Sequence, residues 1–276
     1  MRLWIPIALL LAGCVETPGN VWDPSWKKVW EDNFDGEANT PPNPEYWTHD
    51  VGGDGWGNNQ LEFNTDRVEN SFHDGNGNLV IRAIREDYEG NSWTSARLIT
   101  RDKFEHGFGR FEARIKFPAG QGLWPAFWLL GSDFPEVGWP TCGEIDIVEI
   151  RGERPNEVVT TVHGPGYSGG EGAGELTVLP GFTAADGFHV YAVEIDDEHL
   201  SWYIDEDLVH RVHPGNLPDY TPWVFNKEFF MILNLAVGGN FLAQPTDATP
   251  SPAEVTVDWV RVWERKNPVI GDTGLY

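Results

Sequence analysis

Positive charge is scarce in this chain. Lys and Arg total 19 against 43 Asp and Glu, a formal net charge of −24 over 276 residues, so the basic footprint that holds nucleic acid is missing. An anionic polymer would be repelled too, which leaves neutral glycans open. Cysteine is nearly absent: Cys14 and Cys142 are the only two, and they offer no disulfide framework. No stretch sustains a helical period beyond a turn or two, and no internal repeat is visible. The apolar run Leu3 to Ala12 is too short to span a bilayer. Histidines are scattered. Those in His210-Arg211-Val212-His213 would fall on opposite faces of a strand, so no transition-metal site is indicated.

What the chain has is strands. Gly109 to Phe117 alternates most cleanly, with Phe111, Ala113, Ile115 and Phe117 facing one way and Arg110, Glu112, Arg114 and Lys116 the other, which predicts one buried face and one wet face. Similar short runs occur at 78–85, 95–100, 125–131, 157–163, 188–196, 199–204, 208–213, 229–236 and 255–264, between clusters of Gly, Pro, Asn and Asp. Many short strands predict an all-β protein of two packed antiparallel sheets. The length fits one large all-β domain or two small ones. The glycine-rich segment Pro165 to Gly174 reads as a loop.

Near the middle, Glu144-Ile145-Asp146-Ile147-Val148-Glu149 sets three carboxylates among apolar β-formers. Alternation puts Glu144 and Asp146 on one face and Glu149 on the other. A β-bulge resolves the conflict, because one extra residue returns Glu149 to the face of the other two. Carboxylates that close raise at least one pKa, which lets one stay protonated as an acid while another is ionised as a nucleophile. Trp124-Pro125-Ala126-Phe127-Trp128 and Trp139-Pro140-Thr141-Cys142-Gly143 lead up to the acids. Indoles beside carboxylates suit a sugar, whose ring offers apolar C–H faces and hydroxyls together.

These motifs resemble glycoside hydrolase family 16, and within it the laminarinase-like β-1,3-glucanases. Further matches are Trp56-Gly57-Asn58-Asn59-Gln60-Leu61-Glu62, Thr94-Ser95-Ala96-Arg97, Val162-His163-Gly164, Asn234 to Gly239 and Val257 to Val262, so the resemblance spans residues 26 to 264. It implies a β-jelly roll with a concave substrate groove, formed by a single catalytic domain over 26–276. It also implies an endo-acting retaining hydrolase in which Glu144 is the nucleophile, Asp146 assists and Glu149 is the acid/base. By the same motif matches, Trp124, Trp128 and Trp139 are groove aromatics, Asn58 and Arg97 bind sugar hydroxyls, and His163 lies near the leaving-group side. No cofactor is implied for catalysis. A structural calcium is, held by Asn33, Gly77 and Asp258 through oxygen ligands.

The substrate expected is a laminarin-like β-1,3-glucan. Mixed-linkage β-1,3-1,4-glucan or an algal galactan would keep the mechanism, and a glycan-binding sandwich without catalysis is the alternative from another class. At the N-terminus, Leu11-Ala12-Gly13-Cys14 resembles a bacterial lipobox. Residues 1–13 are then a signal peptide, Cys14 carries a lipid anchor into a membrane, and 14–25 form a tether. An exported lipoprotein of the cell envelope follows; simple secretion is the alternative. Cys142 is expected as a small buried packing residue.

Overall fold

The computed structural model describes residues 25–266. The expected signal peptide, Cys14 and all of the tether except Ser25 lie outside the described residues. The first half supplies β1 (Trp26–Asp32), β2 (Thr48–His49), β3 (Glu62–Asn64), β4 (Ser71–His73), β5 (Leu79–Ala83), β6 (Trp93–Ser95), β7 (Arg97–Ile99), β8 (Gly109–Lys116) and β9 (Leu123–Gly131). A single helical turn, Phe134–Val137, precedes β10 (Glu144–Ile150). Then come β11 (Glu157–His163), β12 (Ala173–Val178), β13 (His189–Ile195), β14 (Leu200–Ile204), β15 (Asp207–Val212), β16 (Phe229–Val237) and β17 (Ala253–Arg265).

Two antiparallel sheets hold most of these strands. The first runs β15-β14-β13-β8-β17-β5-β4, with β1 also pairing β17; the second runs β12-β11-β10-β9-β16-β7-β2. One apolar core lies between them, with Phe111, Ala113, Ile115 and Trp202 from the first sheet packed in the same cluster as Ile145, Val158 and Leu233 from the second. This is the sandwich that the alternating strands predict. The second sheet carries the acids.

The expected wet face of β8 needs correction. Arg110 and Glu112 are both only 7% exposed, because Arg110 pairs with Glu112 at 2.9 Å, Glu194 at 3.2 Å and Glu206 at 2.9 Å. Trp263 Nε1 also donates to Glu112 Oε1 at 2.7 Å. Charge pairing and hydrogen bonding let these groups leave water; along this polar face only Lys116 is exposed.

Two further expectations shift. The 95–100 run divides, since β6 pairs in parallel with β3 while β7 joins β16 in the second sheet. The 165–174 segment is not loop throughout: it holds a 3-10 turn at Gly169–Glu171 and enters β12 at Ala173, which pairs with Val162.

Candidate active site

The kink predicted in β10 is present. Along β9, Asp146 pairs with Trp128 but Val148 with Phe127, so Ile147 is skipped. Along β11, Asp146 pairs with Thr161 and Glu149 with Val159, leaving two residues of β10 opposite Thr160 alone. Ile147 and Val148 consequently both enter the core, which is how Glu149 regains the face of Glu144 and Asp146. Burying two neighbouring aliphatic side chains holds the irregularity in place, at roughly 1.5–3 kcal/mol for each. Gly143, at φ 78°, makes the turn into the strand, and a side chain there would press on Val224 at 3.0 Å.

Each outer acid has an indole donor. Trp139 Nε1 donates to Glu144 Oε2 at 2.9 Å, and Trp124 Nε1 donates to Glu149 Oε1 at 3.0 Å. His163, opposite Glu144 in the register, brings Nε2 to 3.2 Å from Asp146 Oδ2 and 3.7 Å from Glu144 Oε1. Asp146 is 3% exposed. Burial pushes all three carboxyls up, to about 8, and the Asp146 charge adds to the effect on Glu144 and Glu149. Carboxyls crowded in this way cannot all ionise at neutral pH, and they lose their protons as a coupled set. A coupled set of this kind can hold a proton donor and a carboxylate at once.

The remaining candidates gather along the same face. Across the sheet, Glu149 pairs with Ala126, Ala126 with Asn234 and Asn234 with Arg97. Trp128 Nε1 donates to Asn234 Oδ1 at 2.8 Å. The Arg97 guanidinium lies over the rings of Trp56 at 4.7 Å and Trp128 at 4.8 Å, with Nε 3.2 Å from Asp50 Oδ2. Asn58 is exposed in a turn whose carbonyl accepts from Asn240 N at 2.9 Å. Gly239 permits that approach, since its Cβ would lie 3.1 Å from the Trp124 ring and 3.2 Å from Asn58 O. Cys142 is fully buried, as expected.

Asn234, Trp56, Asp50 and Phe241 join the site without having stood out as site residues in the sequence. Asn234, 8% exposed, is the lone polar residue in the apolar run Phe229–Val237, a signal that could have found it. Phe241, its ring tilted by 31° against Trp124 with centroids 5.0 Å apart, carries no such signal.

Among the described residues, one group of His, Cys, Asp and Glu side chains brings three ligand atoms within 4.8 Å of one another, and it is Glu144, Asp146 and His163. The calcium positions lie elsewhere. Asp32 pairs with Val260 and Leu79 with Val257, so strand positions next to Asn33 and Gly77 pair with residues on either side of Asp258, which sits where the pairing of β17 with β8 shifts register. Arg114 Nη1 already donates to Asp258 Oδ2, engaging one of its two oxygens. Oxygen donors of this type would suit a hard cation, and Arg261 Nη2 lies 3.5 Å from Asn33 Oδ1 beside them.

Known proteins resemble this chain along most of its length. It is 42% identical over 276 residues to a β-glucanase of Rhodothermus marinus, covering 95% of this chain and 94% of the relative. It is 35% identical to a glucan endo-1,3-β-glucosidase of Cryptopygus antarcticus, covering 92% and 96%. The endo-β-1,3-glucanase structure from Pyrococcus furiosus superposes with a TM-score of 0.82 at 43% identity, covering 87% of this chain and 95% of the other. Residues 55–261 match the description of glycosyl hydrolases family 16, and with the bulged acid strand and its indole donors in place, the chain belongs to that family.

Proposed function

We propose that the protein is an endo-acting, retaining β-1,3-glucanase that cuts laminarin-like glucans by double displacement. The observation that carries this reading is the bulge, which sets Glu144 and Glu149 on one face with an indole N–H on each. In the first step Glu149 protonates the departing glycosidic oxygen while Glu144 attacks the anomeric carbon. In the second, Glu149 takes a proton from water, which releases the glycosyl-enzyme. Trp139 donates to Glu144 and Trp124 to Glu149, and His163 Nε2 lies 3.7 Å from Glu144 Oε1. In this mechanism the negative charge belongs on Glu144 and the proton on Glu149. Asp146, between them, holds His163 and tunes the nucleophile.

Neutral polymers suit so acidic a chain, and the two relatives named for 1,3-β-glucan cleavage support the linkage. Trp124, Trp139 and the Arg97-Trp128-Asn234 group line the sugar path, with Asn58 at its rim. Reducing-sugar release is expected to be greatest on laminarin, lower on lichenan and negligible on agarose; preference for agarose would overturn the substrate assignment.

The pH dependence follows from the raised carboxyls. The acid works only while protonated, so its raised pKa carries activity through neutral pH, and activity falls as pH rises past about 8. On the acid side, activity falls when Glu144 takes up a proton. A kcat/KM profile that already declines as pH rises past the ordinary glutamate value of about 4.3 would contradict the assignment.

A calcium ion held by Asn33, Gly77 and Asp258 would brace the sandwich rather than take part in the reaction. Calcium is then expected to raise the melting temperature of the protein and not that of Asp258→Asn; equal curves with calcium and with chelator would dismiss the site. Anchoring through an acylated Cys14 at the cell envelope is supported by the Leu11–Cys14 sequence. Appearance of Cys14→Ala in the soluble fraction is its check.

A further inference from the structure

The bulge is gripped from the opposite sheet. Trp202 in β14 and His210 in β15 stand directly opposite each other in the register, with their rings stacked at 4.6 Å and 22°. Trp202 is fully buried, and its Nε1 crosses the core to donate to the backbone carbonyl of Asp146 at 2.9 Å. His210 Nδ1 lies 2.8 Å from Thr160 Oγ1. Those two targets flank the irregularity. Asp146 is the last regularly paired residue before it on β10, and Thr160 is the β11 residue that faces two.

A bulge interrupts the ladder, so backbone and side-chain groups beside it need partners from outside their own strands. Here one stacked pair supplies both. The first sheet is itself irregular at this point, with a register shift between Trp202 and Tyr203, so the two distortions meet across the core.

We propose that Trp202 and His210 form a positioning clamp that fixes the kink in β10 and thereby aims Glu149 at the glycosidic oxygen. Neither ring contacts substrate. The clamp acts through the backbone of Asp146 and the hydroxyl of Thr160, and the inference rests on Glu149 being the proton donor.

Its test separates aim from general damage by the leaving group. Trp202→Phe keeps an aromatic ring and removes the N–H; Thr160→Val keeps the shape and removes the hydroxyl. Both are assayed on laminarin and on a dinitrophenyl β-laminarioligosaccharide, whose leaving group departs without a proton. A misaimed acid lowers kcat on laminarin by about tenfold or more for Trp202→Phe, with KM changed less than about twofold and kcat/KM on the aryl substrate within about threefold. Thr160→Val shows the same split to a smaller degree. The double variant falls short of the product of the single effects, because both act on one element. Equal losses on the two substrates, or unchanged laminarin turnover in folded variants, overturn the clamp. Should Trp202→Phe fail to fold, the near-isosteric Thr160→Val decides by the same split. Glu149→Gln is run alongside, and equal losses there overturn the acid assignment and the clamp with it.

Discussion

Glu144→Gln and Glu149→Gln each lower laminarin turnover by at least about 10²–10⁴-fold while the protein stays folded and binds glucan. The amide keeps the shape and an oxygen that can accept from Trp139 or Trp124, so packing around the site is preserved. What disappears is the chemistry. At Glu144 the anionic nucleophile is gone, and at Glu149 the proton donor. Stability moves the other way. Burial raises both pKa values above the ordinary carboxylate range, so ionising either group favours the unfolded chain as pH climbs from about 4 towards the folded-state pKa. A neutral amide removes that cost, and melting temperatures equal to or above the parent's are expected. Azide distinguishes the two roles. With small side chains in place of the acids and an activated aryl substrate, azide restores turnover with inverted configuration at Glu144→Ala and with retained configuration at Glu149→Ala. Undiminished hydrolysis by either amide variant would refute the assignment of nucleophile and acid/base.

Shifting the parity of β10 has an effect of the same order. Inserting one alanine after Val148 turns Glu149 inward and Ile150 outward as long as Ile147 and Val148 keep the bulge, because successive side chains on a strand take opposite faces. Ile150 is fully buried in the native protein, and a carboxylate drawn into that environment costs several kcal/mol. Turnover is expected to vanish, and the melting temperature to fall by about 10 °C or more. Deleting Ile147 has the opposite logic: the bulge is lost, yet regular alternation still places Glu144, Asp146 and Glu149 on one side. That shortened strand is expected to keep measurable activity, though a buried aliphatic side chain is gone. Reducing-sugar assays with thermal melts on the two variants check the pair. An active insertion variant would mean that burial of Ile147 and Val148 does not hold the bulge, since a regular strand of that length returns Glu149 to the outer face.

Much of the fold and site is legible in the residues because its causes are local. Two adjacent apolar residues between Asp146 and Glu149 are enough to infer the bulge, since parity leaves no other way to gather the acids on one side. Strands with alternating or continuous apolar character, such as β8, β11 and β16, are visible for the same reason. Short or polar strands are not: β4 is Ser71-Phe72-His73, and β1 interposes two lysines where alternation would be sought. The burial of Arg110 and Glu112 is hidden because their partners Glu194, Glu206 and Trp263 lie far along the chain. Trp202 is the plainest case of long-range information. Its contact with Asp146 spans 56 positions, and nothing in the sequence around either residue announces it.

The proposed mechanism turns on Glu144 and Glu149 acting from one side of the sheet as nucleophile and acid/base. Proton NMR of laminarin hydrolysis, followed from the first turnovers and before mutarotation, tests this directly. The β-anomer at the newly formed reducing end is expected first, with the α-anomer growing in only as the sugar equilibrates. Initial appearance of the α-anomer would mean inversion through a single displacement, and would contradict the pairing of these two carboxylates.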